Sequence, residues 1–396
     1  SALASKNYRI FLYGNIVSLM GVWIQRLAIG WQAWELSQSP VIVGLVAALH
    51  LLPSIVLTPF FGVLVDRVNT RHAAIATHVA MTLISLGMGV ITLTGDMSTT
   101  WLLLLSLLHG IANSAYSPIR LTLIVDLVEK QQYPSAVAIT SMTFNLSRFV
   151  GPAIAGWIVA VYGLGVAYLA NAVTYVPLII SFLLITIKPH DGGTTGPGGY
   201  LDQLVEGLRY TLDHTLIRNI ILIASTSSLF GRGILELLPA FAALVFEGGS
   251  NVLATFMAVA GIGALGTSLF FSVRSGTSHL YRIVLIGAVG VGVSVGLFAA
   301  VNSLLGGIIV VTMLGVCTSL VSIGSQIQVQ LSVEDRLRAR VMSLWSLIIF
   351  GGPAVGGIVA GIAVRELGTT NTLIIFAACC LMLNFLFARR WRIDSE

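Results

Sequence analysis

His109, Asn113, Tyr116 and Arg120 follow one another at intervals of four, three and four residues within a largely apolar stretch, so a helix places all four on one face. Polar groups at such depth are costly, and they face a bundle interior or a water-filled cavity. Three other stretches carry similar stripes: Asn15, Ser18, Gln25 and Gln32, with Arg26 beside Gln25; Ser225, Ser228, Arg232 and Glu236; and Ser319, Ser322 and Gln326. The serines have a plain use in bonding to their own backbone, and His109, Asn113 and Tyr116 in bonding between helices. The charges demand more. A charge at the centre of a bilayer costs at least ~2.5 kcal/mol, so Arg26, Arg148, Arg232 and Glu236 each need compensation. Glu236 lies one helical turn after Arg232, either as its structural partner or, as the only carboxylate at that depth, as a proton carrier. Three arginines against one acid leave an excess of positive charge that favours anions.

Substrate binding and proton coupling are therefore the chemistry on offer. The chain has no Ser/His/Asp arrangement, no HExxH, no Cys/His metal spacing and no GxxxxGK[ST] loop, which argues against an enzyme, a resident metal or cofactor, and ATP-driven pumping. Cys317, Cys379 and Cys380 lie in apolar segments and read as small hydrophobes. With 56% hydrophobic and 9% charged residues among 396, the chain has too little polar surface to be soluble. Its pI of 9.3 does not signal nucleic acid, because the basic residues sit in short loops between apolar runs.

The elements that position these residues follow from length. A membrane-spanning helix needs roughly 20 apolar residues, and twelve stretches qualify: 8–36, 41–65, 72–94, 100–126, 134–162 and 165–187, then 216–246, 251–273, 279–300, 303–329, 339–364 and 370–388. An even count puts both termini on one side. With that side cytoplasmic, nearly all Lys and Arg fall in cytoplasmic loops or helix ends and only Arg365 lies outside. The N-terminus has no cleavable signal pattern. Residues 188–199 are rich in Gly, Pro and Thr and read as a flexible linker. Beyond it, Leu201, Leu204, Val205, Leu208 and Leu212 line one face of a short helix too polar to span, lying on the cytoplasmic surface or under the bundle. The expected organisation is a bundle over 1–187, a linker with amphipathic helix over 188–215 and a second bundle over 216–396.

Two motifs go further. Gly62-Val-Leu-Val-Asp66-Arg67-Val-Asn69-Thr-Arg71 is a charged loop between flanks, 41–61 and 72–94, that hold no Lys, Arg, Asp or Glu. Gly62 allows close helix approach, Asp66 suits a helix N-terminus, Arg67 and Arg71 hold the loop at the cytoplasmic surface, and Asn69 tolerates a left-handed turn. Gly151-Pro152-Ala-Ile-Ala-Gly156 recurs as Gly352-Pro353-Ala-Val-Gly-Gly357, as a parallel repeat of six-helix units requires. Its glycines permit tight contact and its prolines a bend.

The loop resembles the signature between the second and third helices of major facilitator transporters, and the repeat resembles the antiporter motif of their fifth helix. Ser117-Pro-Ile-Arg120, Asn145-Leu-Ser-Arg148, Glu206-Gly-Leu-Arg209 and Arg338-Ala-Arg340-Val are similar to the bacterial siderophore (enterobactin) exporter branch. The resemblance spans essentially the whole chain. It implies an all-α membrane protein of twelve helices in two pseudo-symmetric six-helix bundles, with helices one, four, seven and ten lining a central cavity. It also implies export of a siderophore or similar amphiphilic anion by alternating access and proton antiport, with broad multidrug efflux as the alternative. Ser106 stands where many drug/proton antiporters carry an arginine, a departure from the residue on which their coupling scheme relies. The remaining expectations are a monomer in the bacterial inner membrane, with a small molecule and the lipid bilayer as its partners.

Overall fold

The structure is a computed structural model that describes residues 2–65, 68–185, 200–273 and 279–395. Asp66, Arg67 and the 188–199 linker lie outside these ranges. The described chain is helical: α1 (Lys6–Ser37), α2 (Pro40–Val65), α3 (Thr70–Thr94), α4 (Thr99–Leu127), α5 (Tyr133–Leu184), α6 (Tyr200–Asp213), α7 (Thr215–Thr226), α8 (Gly233–Glu236), α9 (Leu238–Leu244), α10 (Ser250–Val273), α11 (Leu280–Phe298), α12 (Leu304–Ser332), α13 (Asp335–Leu367) and α14 (Thr369–Ser395). Side chains start several of them. Ser5, Ser98 and Ser303 accept from backbone amides in the first turns of α1, α4 and α12, satisfying donors that a helix start leaves open. Asn69 does the same for α3, accepting from the Arg71 and His72 amides. Its φ of −65° and ψ of 115° are extended rather than left-handed, so Asn suits this position as a cap.

Ten helices are long and apolar enough to cross a membrane, and the stretch from α7 to α9, bent by 53°, supplies one more. α5 counts twice. It runs for 52 residues, whereas a crossing needs about 20, and it breaks at Gly163 with φ 82° and ψ 175°, a conformation open almost solely to glycine. The chain reverses there. Before Gly163 it runs alongside α1, with Tyr8 Oη donating to the Ala136 carbonyl at 2.9 Å and Gly151 lying against Trp23. After Gly163 it returns the other way, with Tyr168 Oη donating to Gln32 at 2.7 Å and Ser181 Oγ to the Ile10 carbonyl at 3.0 Å. The described residues thus hold twelve crossings.

The seventh crossing departs from the continuous helix expected over 216–246. A π-helical turn occupies Ser227–Arg232, and Leu237 leaves helical geometry before Pro239 restarts it as α9. Proline has no amide to donate to the preceding turn, so the helix bends where it enters. The wider turn also shifts register, and Ser225, Ser228, Arg232 and Glu236 no longer follow one 3.6-residue face.

Two compact units emerge. One comprises Ser1–Gln38, Leu49–Gly196 and Leu253–Ala258; the other comprises Ser39–Ala48, Pro197–Val252 and Val259–Glu396. The first is centred on Tyr8, Phe11, Ile119, Leu123, Leu178 and Phe182. The second is centred on Ile220, Ile223, Val284, Val321, Val329 and Trp345. Val56, Phe60, Leu83, Val173, Ile286 and Phe385 are exposed, a surface that lipid accommodates and water does not.

The repeated glycine motif packs in parallel ways. In the first unit Gly151 sits against Trp23 and Gly156 against Ala254; in the second Gly352 sits against Ser228 and Gly357 beside Gly44. Side chains at Gly151, Gly156 and Gly352 would collide with neighbouring helices, so these three glycines set how closely the helices approach, whereas one at Gly357 would make ordinary contacts. α6 lies against α13, where Gly207 meets the Arg340 backbone and Glu206 pairs with Arg340 and, at 3.5 Å, with Arg336. Its Val205, Leu208 and Leu212 stay exposed.

Candidate functional site

The first unit assembles a cationic aromatic centre. Trp23 and Arg26 are one turn apart on α1, and Phe144 and Arg148 one turn apart on α5, so each pair shares a helix face. Where the helices meet, the Arg26 guanidinium lies 5.4 Å and the Arg148 guanidinium 5.7 Å from the centre of the Trp23 ring, with Phe144 at 6.1 Å. Gly151 makes this possible, because a Cβ there would collide with Trp23. A cation over an indole gains roughly 0.5–2 kcal/mol, depending on desolvation, part of the cost of placing an arginine at this depth. Both arginines are half-buried, and the indole Nε1 is buried with no hydrogen-bond partner among the described residues. The arrangement offers two positive charges and an apolar ring edge to one ligand.

The first unit also holds a histidine and tyrosine cluster. His109 Nε2 is 3.1 Å from Tyr175 Oη. On the other side its ring stacks on His50 of α2, 5.0 Å between centroids at 14°. His78 of α3 meets Tyr116 edge-on at 4.3 Å and Tyr175 at 5.7 Å. His50 Nδ1, His109 Nδ1 and Tyr116 Oη are buried with no hydrogen-bond partner among the described residues. Asn113 is half-buried on the same helix.

Gln25 has different neighbours. Its Oε1 accepts from Ser85 Oγ at 2.6 Å and from Asn171 Nδ2, and its Nε2 approaches Met88 Sδ at 3.7 Å. Both ends of the amide are engaged with α3 and α5, a fully buried interhelical lock. Gln32 repeats the pattern, donating to Thr92 Oγ1 at 3.1 Å while accepting from Tyr168.

The other sequence-selected residues lie elsewhere. In the second unit, Arg232 ends the π turn and donates to the Ile349 carbonyl at 3.3 Å, Glu236 is half-buried beside Gly357, and Gln326 is half-buried on α12. Arg71 donates to the Leu183 carbonyl, tying the start of α3 to the end of α5. Gly62 falls in the last turns of α2, Pro152 in α5 and Pro353 in α13. No cluster of three or more His, Cys, Asp or Glu suited to a metal occurs among the described residues.

A family profile described as transmembrane secretion effector matches residues 1–395. The chain belongs to that family. It is 22% identical to the staphyloferrin A transporter of Staphylococcus aureus over 96% of each chain. It is 24% identical to the enterobactin exporter of Escherichia coli, over 89% of this chain and 84% of that one. In fold it is similar to a bacterial homologue of the human lysosomal transporter Spinster, with TM-score 0.71, 17% identity and 98% of each chain covered. The nucleoside transporter NupG is also similar, with TM-score 0.72, 14% identity, and 98% of this chain and 99% of that one covered. This is a family of major facilitator transporters rather than enzymes, and the chain is a multi-pass membrane transporter.

Sequence reasoning selected Arg26, Arg148 and His109 but missed Trp23, His50, His78 and Tyr175, which give them their surroundings. An aromatic residue three positions before a membrane arginine was the available signal for Trp23. His50 offered less, since its stretch carries no other polar stripe.

Proposed function

We propose that this transporter exports a siderophore or similar amphiphilic anion from the cytoplasm by alternating access, in exchange for protons. The observation that carries the reading is the seat of Arg26 and Arg148 on Trp23. Two guanidiniums in a weakly screened site attract an anion and repel a cation, while the ring suits an apolar body. The named relatives, a staphyloferrin A transporter and an enterobactin exporter, support the same choice. Arg232, His109, Asn113, Tyr116 and Gln326 would complete the substrate's surroundings in one or another state of the cycle. Gly62, Asp66, Arg67 and Arg71 would serve gating at the charged loop, and the two glycine-proline motifs would serve it within the bundles. Both termini would face the cytoplasm of a bacterium, with the monomer as the working unit. Glu236 would carry the exchanged proton.

Efflux from proteoliposomes, run with anionic siderophores, neutral compounds and cationic drugs and with or without a pH gradient, tests this. Anions should be exported, and Arg26→Gln should slow them at least tenfold while sparing neutral compounds. If cations are the best substrates, or if Arg26→Gln slows all classes alike, broad multidrug efflux replaces the proposal. Glu236→Gln should keep counterflow but lose its response to the gradient.

A further inference from the structure

We infer that Ser228 and Pro353 position Glu236, by fixing the π turn of the seventh crossing against α13. The placement stands on geometry alone; its bearing on proton exchange rests on the reading of Glu236 above. Proline carries no amide hydrogen, so Pro353 leaves the carbonyl of Ile349, four residues earlier in α13, without its intrahelical donor. Ile349 is buried, and a buried carbonyl in that condition needs another partner. The π turn supplies two. Arg232 Nη1 donates to it at 3.3 Å, and Ser228 Oγ reaches it at 3.4 Å while donating to the Ile348 carbonyl at 2.9 Å. Ser228 is buried, and Gly352 gives its hydroxyl access, since a Cβ there would collide with Oγ. The same chemistry recurs in the first unit, where Pro118 frees the Ser114 carbonyl and Thr58 Oγ1 of α2 donates to it at 3.3 Å.

The turn held in this way sets where Glu236 lies. The Gly233 amide bonds to the Ser228 carbonyl, five residues back, so the turn holds one residue more than an α turn. Each residue of an α-helix advances about 100° around the axis, and everything after the extra residue is rotated by that step relative to a continuous helix. Gly233–Glu236 is a single turn. On its far side Leu237 leaves helical geometry, so α9 does not dictate its rotation and the π turn does. In this register Glu236 lies beside Gly357, and a Cβ on Gly357 would stand 3.4 Å from the Glu236 Cβ. A π turn is rare, and an uncommon backbone geometry persists where its surroundings hold it. Without the Ser228 hydroxyl, or with an amide at position 353 competing for the Ile349 carbonyl, the turn relaxes to α geometry and Glu236 swings off Gly357. Ser228 and Pro353 thus act on exchange through Glu236, not by touching substrate.

The test uses the full-length protein in lipid nanodiscs, with Cys317, Cys379 and Cys380 replaced by alanine and Glu236→Cys paired with Gly357→Cys. The 3.4 Å between the two Cβ positions is close to the roughly 3.5–4.5 Å of a disulfide, so mild oxidation should join them readily. Adding Ser228→Ala or Pro353→Ala should slow the joining about tenfold. Thr58→Ala, which removes the matching bond at Pro118, should leave it unchanged. Pro353→Ala gives α13 an ordinary helical residue, so it decides the matter even where Ser228→Ala does not fold. An unchanged rate in Pro353→Ala, or an equal fall in Thr58→Ala, overturns the positioning. A second arm keeps Glu236 and follows staphyloferrin A as the probe anion in proteoliposomes. Ser228→Ala and Pro353→Ala should keep counterflow and lose most of the response to a pH gradient, as Glu236→Gln should. A response kept by these two but lost in Glu236→Gln defeats their bearing on exchange. A response kept in Glu236→Gln as well counts against Glu236 as the carrier. Absence of staphyloferrin A transport counts against the anion reading, while the crosslink still decides the positioning.

Discussion

The two units meet the same demand, burying polar groups in apolar helices, by different means. In the first, side chains bond across helices: Gln25 with Ser85 and Asn171, Gln32 with Thr92 and Tyr168, His109 with Tyr175. In the second, Ser294, Thr312 and Thr318 turn back on their own helices, to the Gly290, Ile308 and Leu314 carbonyls, and fewer side chains reach across: Ser228 to the Ile348 carbonyl at 2.9 Å and Trp345 Nε1 to Ser325 Oγ at 2.9 Å. Its core is rich in Ile and Val. A close parallel joins the first crossing to the sixth and the seventh to the twelfth. Gln25 and Asn171 form that lock in the first unit, and Thr226 and Asn384, 3.0 Å apart, in the second. A network of directional bonds holds side chains in fixed places, whereas self-satisfied hydroxyls and small residues leave helices free to shift. We propose from this difference that ligand recognition falls mainly to the first unit and accommodation of movement to the second.

The sharpest way to break this contrast is to neutralise one arginine in each unit. Arg148→Gln should cut efflux of an anionic substrate more than tenfold, and Arg232→Gln by less. Equal losses in proteoliposomes would remove the asymmetry. The locks come next. Asn171→Ala withdraws a donor shared by Gln25 and Ser85 and should cost about 3 kcal/mol of stability. Asn384→Ala should cost about 1 kcal/mol, because Thr226 keeps its bond to the Ile223 carbonyl. Thermal unfolding in nanodiscs would show the order, and a reversed order would contradict it.

Within the second unit, Gly44 and Gly357 refine the picture. A Cβ on Gly44 would run into the Gly357 backbone, whereas a Cβ on Gly357 finds ordinary contacts at 3.4 Å and beyond. Gly44→Ala should therefore destabilise by about 1–2 kcal/mol and Gly357→Ala by little; matching unfolding temperatures would say that α2 and α13 are not held by this contact. The smallest effect belongs to Glu206→Gln. Its ion pair with Arg336 is exposed and that with Arg340 partly so, so the loss should stay at about 1 kcal/mol and shrink at high salt.

Much of the architecture was legible because hydropathy and charge are local signals. The break between the fifth and sixth crossings could be placed at Gly163, since a glycine sits where one apolar run has used up its length and the next begins. The bend at Leu237 was not placed, although Pro239 was in view, because the apolar run continues unbroken on either side. At the site, periodicity told which face of α1 carries Gln25 and Arg26, but not which helix meets that face. Gln25 turned out to be engaged with Ser85 and Asn171, while Arg26 shares Trp23 with Arg148. Those partners lie far apart in the chain, and their meeting depends on how helices pack, which no local pattern contains.

The reversal at Gly163 has a mechanical consequence. Spans joined by a loop of several residues can slide past one another before the connection tightens. A joint of one residue has no such slack, so sliding of the arm that carries Arg148 is limited by its tie to the arm that carries Asn171 and Tyr175, while the glycine leaves the two arms free to tilt.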